Sequence, residues 1–183
     1  WSCAVTYYNE ATKQNEKITV EAANGWNANW ESAWRAFLQD LIQHVTDEGW
    51  KDYTYIGIDE RGFSANAFNL IDSVLDIKGV PLKTAGAMDG FVDKRDLAMR
   101  LDVLSVGSIA VKAHPAEFEA LRQERDELGL KTTVYTCTGH KPGSFSLSAP
   151  GESYWTMMYA YSVGGSGYMR WAYDSWVANP LED

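Results

Sequence analysis

Two adjacent carboxylates, Asp59 and Glu60, stand where a short apolar run of the sequence ends. The run, from Tyr55 to Ile58, has the composition of a buried β-strand, so the pair is predicted to lie at a strand exit. Two carboxyl groups can cleave a glycosidic bond, because one protonates the leaving oxygen while the other attacks or stabilises the developing cation. Neighbours on a regular strand point to opposite faces, so both enter one pocket only if the strand twists or ends between them. An Asp-Glu pair is also typical of an ordinary solvated loop.

The composition is that of an acidic, folded chain. Its 183 residues are 45% hydrophobic, with 16 basic and 25 acidic residues and a net charge of −9. The chain has no long cluster of Lys or Arg, so nucleic acid and anionic membrane surfaces are poor partners. No apolar run reaches the ~20 residues that span a bilayer. The three His and two Cys lack metal-ligand spacing. Eight Trp and ten Tyr serve either core packing or stacking against sugar rings.

Hydrophobic periodicity predicts a hairpin followed by alternating strands and helices. The hairpin falls within residues 3–23, and an amphipathic helix covers residues 29–48. Strands are predicted near residues 55–58, 81–88, 103–111, 132–138 and 168–173. Helices are predicted at residues 67–75, 94–100, 115–128 and 150–163.

Five strands joined by helical crossovers predict an α/β fold with parallel βα units. A complete (β/α)₈ barrel needs about 250 residues, so the chain fits a partial TIM barrel of about five parallel strands plus an N-terminal β-hairpin. A complete, small doubly wound sheet satisfies the same pattern. In a barrel the chemistry lies at the carboxyl ends of the strands. Those ends are predicted at Asp59-Glu60, Met88-Asp89, Lys112, residues 136–138 and residues 171–173.

Four segments of the sequence resemble the catalytic domain of glycoside hydrolase family 123. They are residues 49–61, 134–138 and 167–176, together with residues 142–153, which contain Phe145 and the Glu152-Ser153 pair. The segments occur in the order found in the family, and their combination is more specific than any one of them.

The resemblance implies a (β/α)₈ barrel with retaining β-N-acetylgalactosaminidase activity by substrate-assisted catalysis. In that mechanism the 2-acetamido oxygen of the sugar is the nucleophile. By position, Asp59 would orient and stabilise the acetamido group, and Glu60 would be the general acid and then the general base. This role explains the adjacency, because a substrate nucleophile needs only a nearby stabiliser rather than a carboxylate on the opposite face.

Further substrate-binding residues are expected at the ends of the last two strands. Trp171, Tyr173 and Trp176 cluster at the predicted exit of the last strand, where they would form an aromatic floor for the sugar. Tyr135 is placed to hydrogen-bond the acetamido carbonyl. For each of the four, core packing is the alternative.

The resemblance also implies the organisation and surroundings of the chain. Residues 1–183 are expected to be a single domain, a fragment of a catalytic barrel, with a peripheral hairpin at 1–25 and βα units at 29–183. The full-length protein would supply the missing barrel half or other domains. The expected partner is a glycan, with no metal, organic cofactor, nucleic acid or membrane insertion, in a bacterial periplasmic or secreted setting. The alternatives are a non-catalytic carbohydrate-binding barrel domain and an inactive fragment.

Overall fold

The computed structural model describes residues 2–21, 28–59, 64–143, 145 and 148–170. The chain forms two compact units. One contains residues 1–54 and 64–82, and the other contains residues 55–63 and 83–183. The expectation of a single domain over residues 1–183 stays a prediction.

The first unit begins with the predicted hairpin. Strand β1 (Ser2–Asn9) pairs antiparallel with β2 (Gln14–Glu21), with Asn9 opposite Gln14 at the turn. The side-chain oxygen of Asn9 accepts a hydrogen bond from the Ala11 amide at 2.9 Å, and Lys13 adopts a φ of 56°. A short polar side chain that bonds the backbone two residues on is a common device for closing such a turn.

Two α-helices and a short 3-10 helix complete the described part of the first unit. Helix α1 (Ala28–Asp47) buries Leu38, Ile42 and Val45, which recur at helical spacing on one stripe. Gly49, with a φ of 75°, follows the helix, as is common at helix C-termini. A 3-10 helix spans Lys51–Tyr53, and helix α2 spans Ala65–Ser73. The Ser64 hydroxyl caps α2 by accepting from the Ala67 amide.

The second unit contains a parallel sheet whose strands follow one another in chain order. The strands are β3 (Tyr55–Ile58), β4 (Lys83–Met88), β5 (Val103–Gly107), β6 (Lys131–Tyr135) and β7 (Tyr168–Met169). All four pairings between neighbours are parallel. A doubly wound sheet reverses its strand order at a switch point, whereas a barrel wall does not. The topology of the described strands therefore favours part of a barrel.

The described residues of this unit form four helices: α3 (Arg95–Ala98), α4 (Ser108–Ala113), α5 (Pro115–Glu127) and α6 (Pro150–Ser162). The prediction of one strand over residues 103–111 is wrong in its second half, because Ser108 begins α4. A short apolar run has no period that separates a strand from a buried helix. The correction moves the end of β5 from Lys112 back to Gly107. Similarly, β6 ends at Tyr135 rather than Thr138.

The two faces of the sheet differ in side-chain size. Leu104, Val106 and Val134 have no exposed surface and form the packed face. On the opposite face the register aligns Ala87 with Ser105, and Gly107 with Tyr135. The hydroxyl of Ser105 is buried and has no hydrogen-bond partner among the described residues. Ala87, Ser105 and Gly107 are thus small residues on the face that ends in the predicted catalytic segment.

Arg125 ties α5 to its neighbours from a fully buried position. Its guanidinium donates to the Thr132 hydroxyl at 2.9 Å, the Ala98 carbonyl at 2.6 Å and the Lys131 carbonyl at 2.7 Å. Burial lowers the pKa of Arg125 to about 10, which still leaves the group protonated at neutral pH. These hydrogen bonds fix α5 against α3 and the start of β6.

Candidate active site

The carboxyl ends of the five parallel strands lie along one edge of the sheet. The residues that follow β3 to β7 are, in order, Asp59, Asp89, Ser108, Thr136 and Arg170. Two carboxylates therefore follow neighbouring strands.

Asp59 is exposed and lies one residue beyond the end of β3. Gly57 pairs with Ala85, so strand alternation puts Asp59 on the face that carries the small residues. Glu60 falls within residues 60–63, outside the described part of the chain.

Asp89 and Tyr135 join the ends of β4 and β6. The Tyr135 hydroxyl donates a hydrogen bond to Asp89 Oδ1 at 2.9 Å. Only 5% of the Tyr135 surface is exposed, whereas Asp89 is open to solvent. The single phenolic proton is used by Asp89, so Tyr135 in this arrangement accepts rather than donates a further bond. The expected bond from Tyr135 to an acetamido carbonyl stays a prediction.

Gly107, at the end of the intervening strand β5, allows this contact. A Cβ atom at Gly107 would lie 1.9 Å from Asp89 Oδ1 and 3.4 Å from Tyr135 Cζ. Carbon and oxygen do not approach to 1.9 Å without a bond, so a side chain here would displace the carboxylate. The absence of a side chain is thus part of the site.

A histidine with two polar partners lies in the loop after β6. His140 Nδ1 is 3.1 Å from both the Cys137 amide nitrogen and the Ser108 hydroxyl. An amide N–H only donates, so Nδ1 is assigned as the acceptor, and the ring proton then belongs on Nε2. The imidazole thereby joins the start of α4 to the loop that leaves β6.

The N-terminus of α6 holds the next part of that loop. Glu152 accepts hydrogen bonds from the Lys141 ammonium at 2.5 Å and the Gly143 amide at 2.8 Å. The Lys141 bond, followed by the Gly143 bond, lowers the pKa of the Glu152 carboxyl. The Ser148 hydroxyl does not cap α6 but accepts a hydrogen bond from the Phe145 amide, within the loop. Arg170 stacks 4.9 Å from the centre of the Phe145 ring.

The predicted aromatic floor lies outside the described residues. Trp171, Tyr173 and Trp176 all fall within residues 171–183, beyond the end of β7 as described. Of the six predicted site residues, Asp59 and Tyr135 therefore have a described position. These two lie at the same edge of the sheet.

Two residues of this edge were not predicted as site residues. Asp89 follows β4 as directly as Asp59 follows β3, so the end of a predicted strand was the signal that indicated it. His140 carried no comparable signal, because its two partners come from different segments of the chain.

Other features of the described residues lie away from this edge. A groove of about 720 Å³ is lined by residues of α4, α5 and α6, and another of about 510 Å³ by Pro142, Trp155 and their neighbours. Asp59, Asp89 and Tyr135 line neither. Within the described ranges no His, Cys, Asp or Glu side chains group as metal ligands, and no helix has the length and apolarity needed to cross a membrane.

Chemically, the edge suits a ligand that offers hydroxyl donors and carries no negative charge. Two carboxylates and a phenol are hydrogen-bond acceptors that hydroxyl groups complement, whereas an anionic ligand would be repelled by Asp59 and Asp89.

Comparison with solved structures finds a similar protein. The chain superposes with a TM-score of 0.80 and 33% identity on a family 123 glycoside hydrolase from Clostridium perfringens, whose structure was analysed for the details of glycolipid glycan hydrolysis. The match covers 98% of this chain and 31% of that one, so the chain spans about a third of that protein. The predicted fold, a partial (β/α)₈ barrel with an N-terminal hairpin, is confirmed. A comparison with curated proteins found no match.

The family model for the catalytic domain of glycoside hydrolase 123 matches from the first residue of the chain to the last. This match agrees with the strand order of the sheet and with the superposed hydrolase. The chain therefore belongs to the glycoside hydrolase 123 catalytic-domain family.

Proposed function

We propose that this chain carries the catalytic carboxylates of a retaining glycoside hydrolase that releases β-linked N-acetylgalactosamine by substrate-assisted catalysis. The observation that carries the proposal is the position of Asp59. It is an exposed carboxylate one residue beyond β3, at the edge where the carboxyl ends of five parallel strands meet, and Glu60 follows it in sequence. Family membership supports glycoside hydrolysis, and the finer assignment of sugar and mechanism is ours.

In the first step the acetamido oxygen of the substrate attacks C1 while the bond from C1 to the leaving oxygen breaks. Glu60 gives its proton to that oxygen as general acid. Asp59 accepts a hydrogen bond from the acetamido N–H and stabilises the positive charge of the oxazolinium ion that forms.

In the second step Glu60 acts as general base. It removes a proton from a water molecule, which attacks C1 and opens the ring, so the acetamido group is restored. Two inversions at C1 give net retention.

The other predicted residues are proposed to bind the substrate. Trp171, Tyr173 and Trp176 would stack against sugar rings, and Tyr135 would act through Asp89, to which its hydroxyl donates a hydrogen bond. We propose that other parts of the whole protein complete the barrel and that the protein acts in a periplasmic or secreted setting. The glycolipid glycan studied with the Clostridium perfringens enzyme favours a similar substrate class here.

Replacing Asp59 by Asn tests this function. In the whole protein, Asp59→Asn is expected to lower kcat/KM for an aryl β-N-acetylgalactosaminide about 100-fold, because an amide carries no charge to balance the oxazolinium ion. Initial rates of phenol release measure the effect.

The control is the exposed Glu127 at the far end of α5, where Glu127→Gln should leave the rate unchanged. Wild-type protein that hydrolyses aryl β-galactosides as well as their 2-acetamido counterparts would contradict the proposal. Wild-type protein that binds a β-N-acetylgalactosaminide without hydrolysing it would support a binding domain instead.

A further inference from the structure

We propose that Asp89 is a substrate-binding residue: its carboxylate accepts a hydrogen bond from a ring or C6 hydroxyl group of the sugar held at Asp59, and Tyr135 is its positioning residue. The assignment rests on the proposed function, because it places the same sugar at the same edge of the sheet.

The first argument is location. β4 is the hydrogen-bonded neighbour of β3, and Gly57 pairs with Ala85. Residues two apart on a strand lie on the same face, so Asp59 lies on the face of Gly57 and Asp89 on the face of Ala85. Because Gly57 and Ala85 are paired, these two faces are the same. Neighbouring strands lie about 4.8 Å apart, which is within the width of one sugar ring. A ligand held by Asp59 is therefore within reach of Asp89.

The second argument is that Asp89 is held in place although it is exposed. A solvent-exposed carboxylate at a strand exit normally samples several rotamers. Here the buried Tyr135 hydroxyl bonds Oδ1 at 2.9 Å. Oδ2 has no hydrogen-bond partner among the described residues. Because one oxygen is already fixed and the other is open, the Asp89 side chain loses less conformational entropy when a ligand binds to it.

The third argument is that three strands cooperate in this arrangement. The donor comes from β6, the acceptor follows β4, and β5 between them ends in Gly107. Any larger residue at Gly107 would meet Asp89 Oδ1 at 1.9 Å. A side chain at Gly107 would push the Asp89 carboxylate aside, so the contact depends on a glycine at the end of the middle strand. A binding carboxylate explains why the contact is built across the middle strand.

Chemistry selects the ligand group. A carboxylate with one oxygen engaged is an acceptor, so it pairs with a donor that carries no charge or a positive one. The proposed sugar offers hydroxyl donors at C3, C4 and C6, while its acetamido group is assigned to Asp59. A hydrogen bond between a charged acceptor and a hydroxyl group accounts for about a 10- to 100-fold difference in binding.

The test combines Asp89→Asn with substrates that lack one hydroxyl group. In the whole protein, Asp89→Asn should lower kcat/KM for an aryl β-N-acetylgalactosaminide about 10- to 100-fold, chiefly by raising KM. For one of the 3-deoxy, 4-deoxy and 6-deoxy substrates, kcat/KM of the wild type should be lower than for the parent substrate. Asp89→Asn should not lower it further, because the hydrogen bond to Asp89 is already absent. An equal loss on the parent and all three deoxy substrates, or no loss at all, would overturn the assignment.

Two further variants test the positioning of Asp89. Tyr135→Phe should weaken binding of the same hydroxyl group and should cause no added loss once Asp89 is Asn. Gly107→Ala should change kcat/KM across the deoxy substrates as Asp89→Asn does, because the added methyl group displaces the Asp89 carboxylate. The matched control is Gly90→Ala, where an added Cβ meets no described atom within 4 Å and the rate should not change. If Tyr135→Phe lowers the rate on all deoxy substrates alike, Tyr135 does not act through Asp89.

The outcomes separate this inference from the proposed function. Wild-type protein that does not hydrolyse the parent substrate overturns both. Wild-type protein that hydrolyses it, with Asp89→Asn unaffected, overturns the role of Asp89 alone.

Discussion

Replacing Glu60 by Gln is expected to lower kcat/KM of the whole protein by a factor of about 10² to 10⁴ on an N-acetylgalactosaminide with a poor leaving group. The amide keeps the shape of the side chain but has no proton to transfer, and general acid catalysis contributes a factor of this size. The loss should shrink as the leaving group becomes more acidic, because a stable phenolate departs with little help. A series of aryl glycosides with phenols of graded pKa measures this trend.

The pH profile gives a second readout of the same substitution. The alkaline limb of kcat/KM reports deprotonation of the acid in the free enzyme, so it should be lost in Glu60→Gln. The exposed Glu127 is the matched control, since Glu127→Gln should keep the wild-type profile. Unchanged activity in Glu60→Gln would show that another group protonates the leaving oxygen.

Replacing Arg125 by Met is expected to lower the local free energy of unfolding by about 3 kcal/mol. The apolar side chain fills a similar volume but leaves the Ala98 and Lys131 carbonyls and the Thr132 hydroxyl without their donor. Loss of the desolvation penalty that lowers the pKa of Arg125 offsets part of this cost. Hydrogen exchange of the β5 and β6 amides in the whole protein measures the change where it arises.

Arg122 supplies the control, one turn earlier on the same helix. It pairs with Glu119 at 2.7 Å and with Asp126 at 2.5 Å, and both carboxylates are about half exposed. Ion pairs of this kind contribute under about 1 kcal/mol, so Arg122→Met should have the smaller effect. If hydrogen-exchange protection falls equally in the two variants, the burial of Arg125 does not determine how much it contributes to the free energy of unfolding.

The strongly periodic elements of this chain were predictable from sequence. The helix over residues 29–48 appears as α1, and the helix over residues 115–128 as α5, because an apolar stripe and a Gly stop coincide in each. The run before Asp59 is a strand, as its composition indicates, but the predicted burial is wrong, because its four residues are exposed or half-buried. Where the pattern has no period, as in residues 108–111, it could not distinguish a strand from a helix.

The candidate site was predictable only in part. The Asp59-Glu60 pair acquires a specific chemistry through resemblance to the family, since the dipeptide alone is common on surfaces. The contact between Asp89 and Tyr135 joins residues 46 apart and depends on a missing side chain at Gly107. Such a contact follows from strand register, which sequence periodicity does not determine for parallel strands.

The most direct test of substrate-assisted catalysis changes the nucleophile itself. Replacing the acetamido group of an aryl β-N-acetylgalactosaminide by mono-, di- and trifluoroacetamido groups makes the carbonyl oxygen progressively less nucleophilic. If that oxygen attacks C1, kcat/KM of the wild-type whole protein should fall steeply and steadily across the series. A rate that does not change with fluorination would mean that a group of the enzyme or a water molecule attacks C1, and would contradict the roles proposed for Asp59 and Glu60.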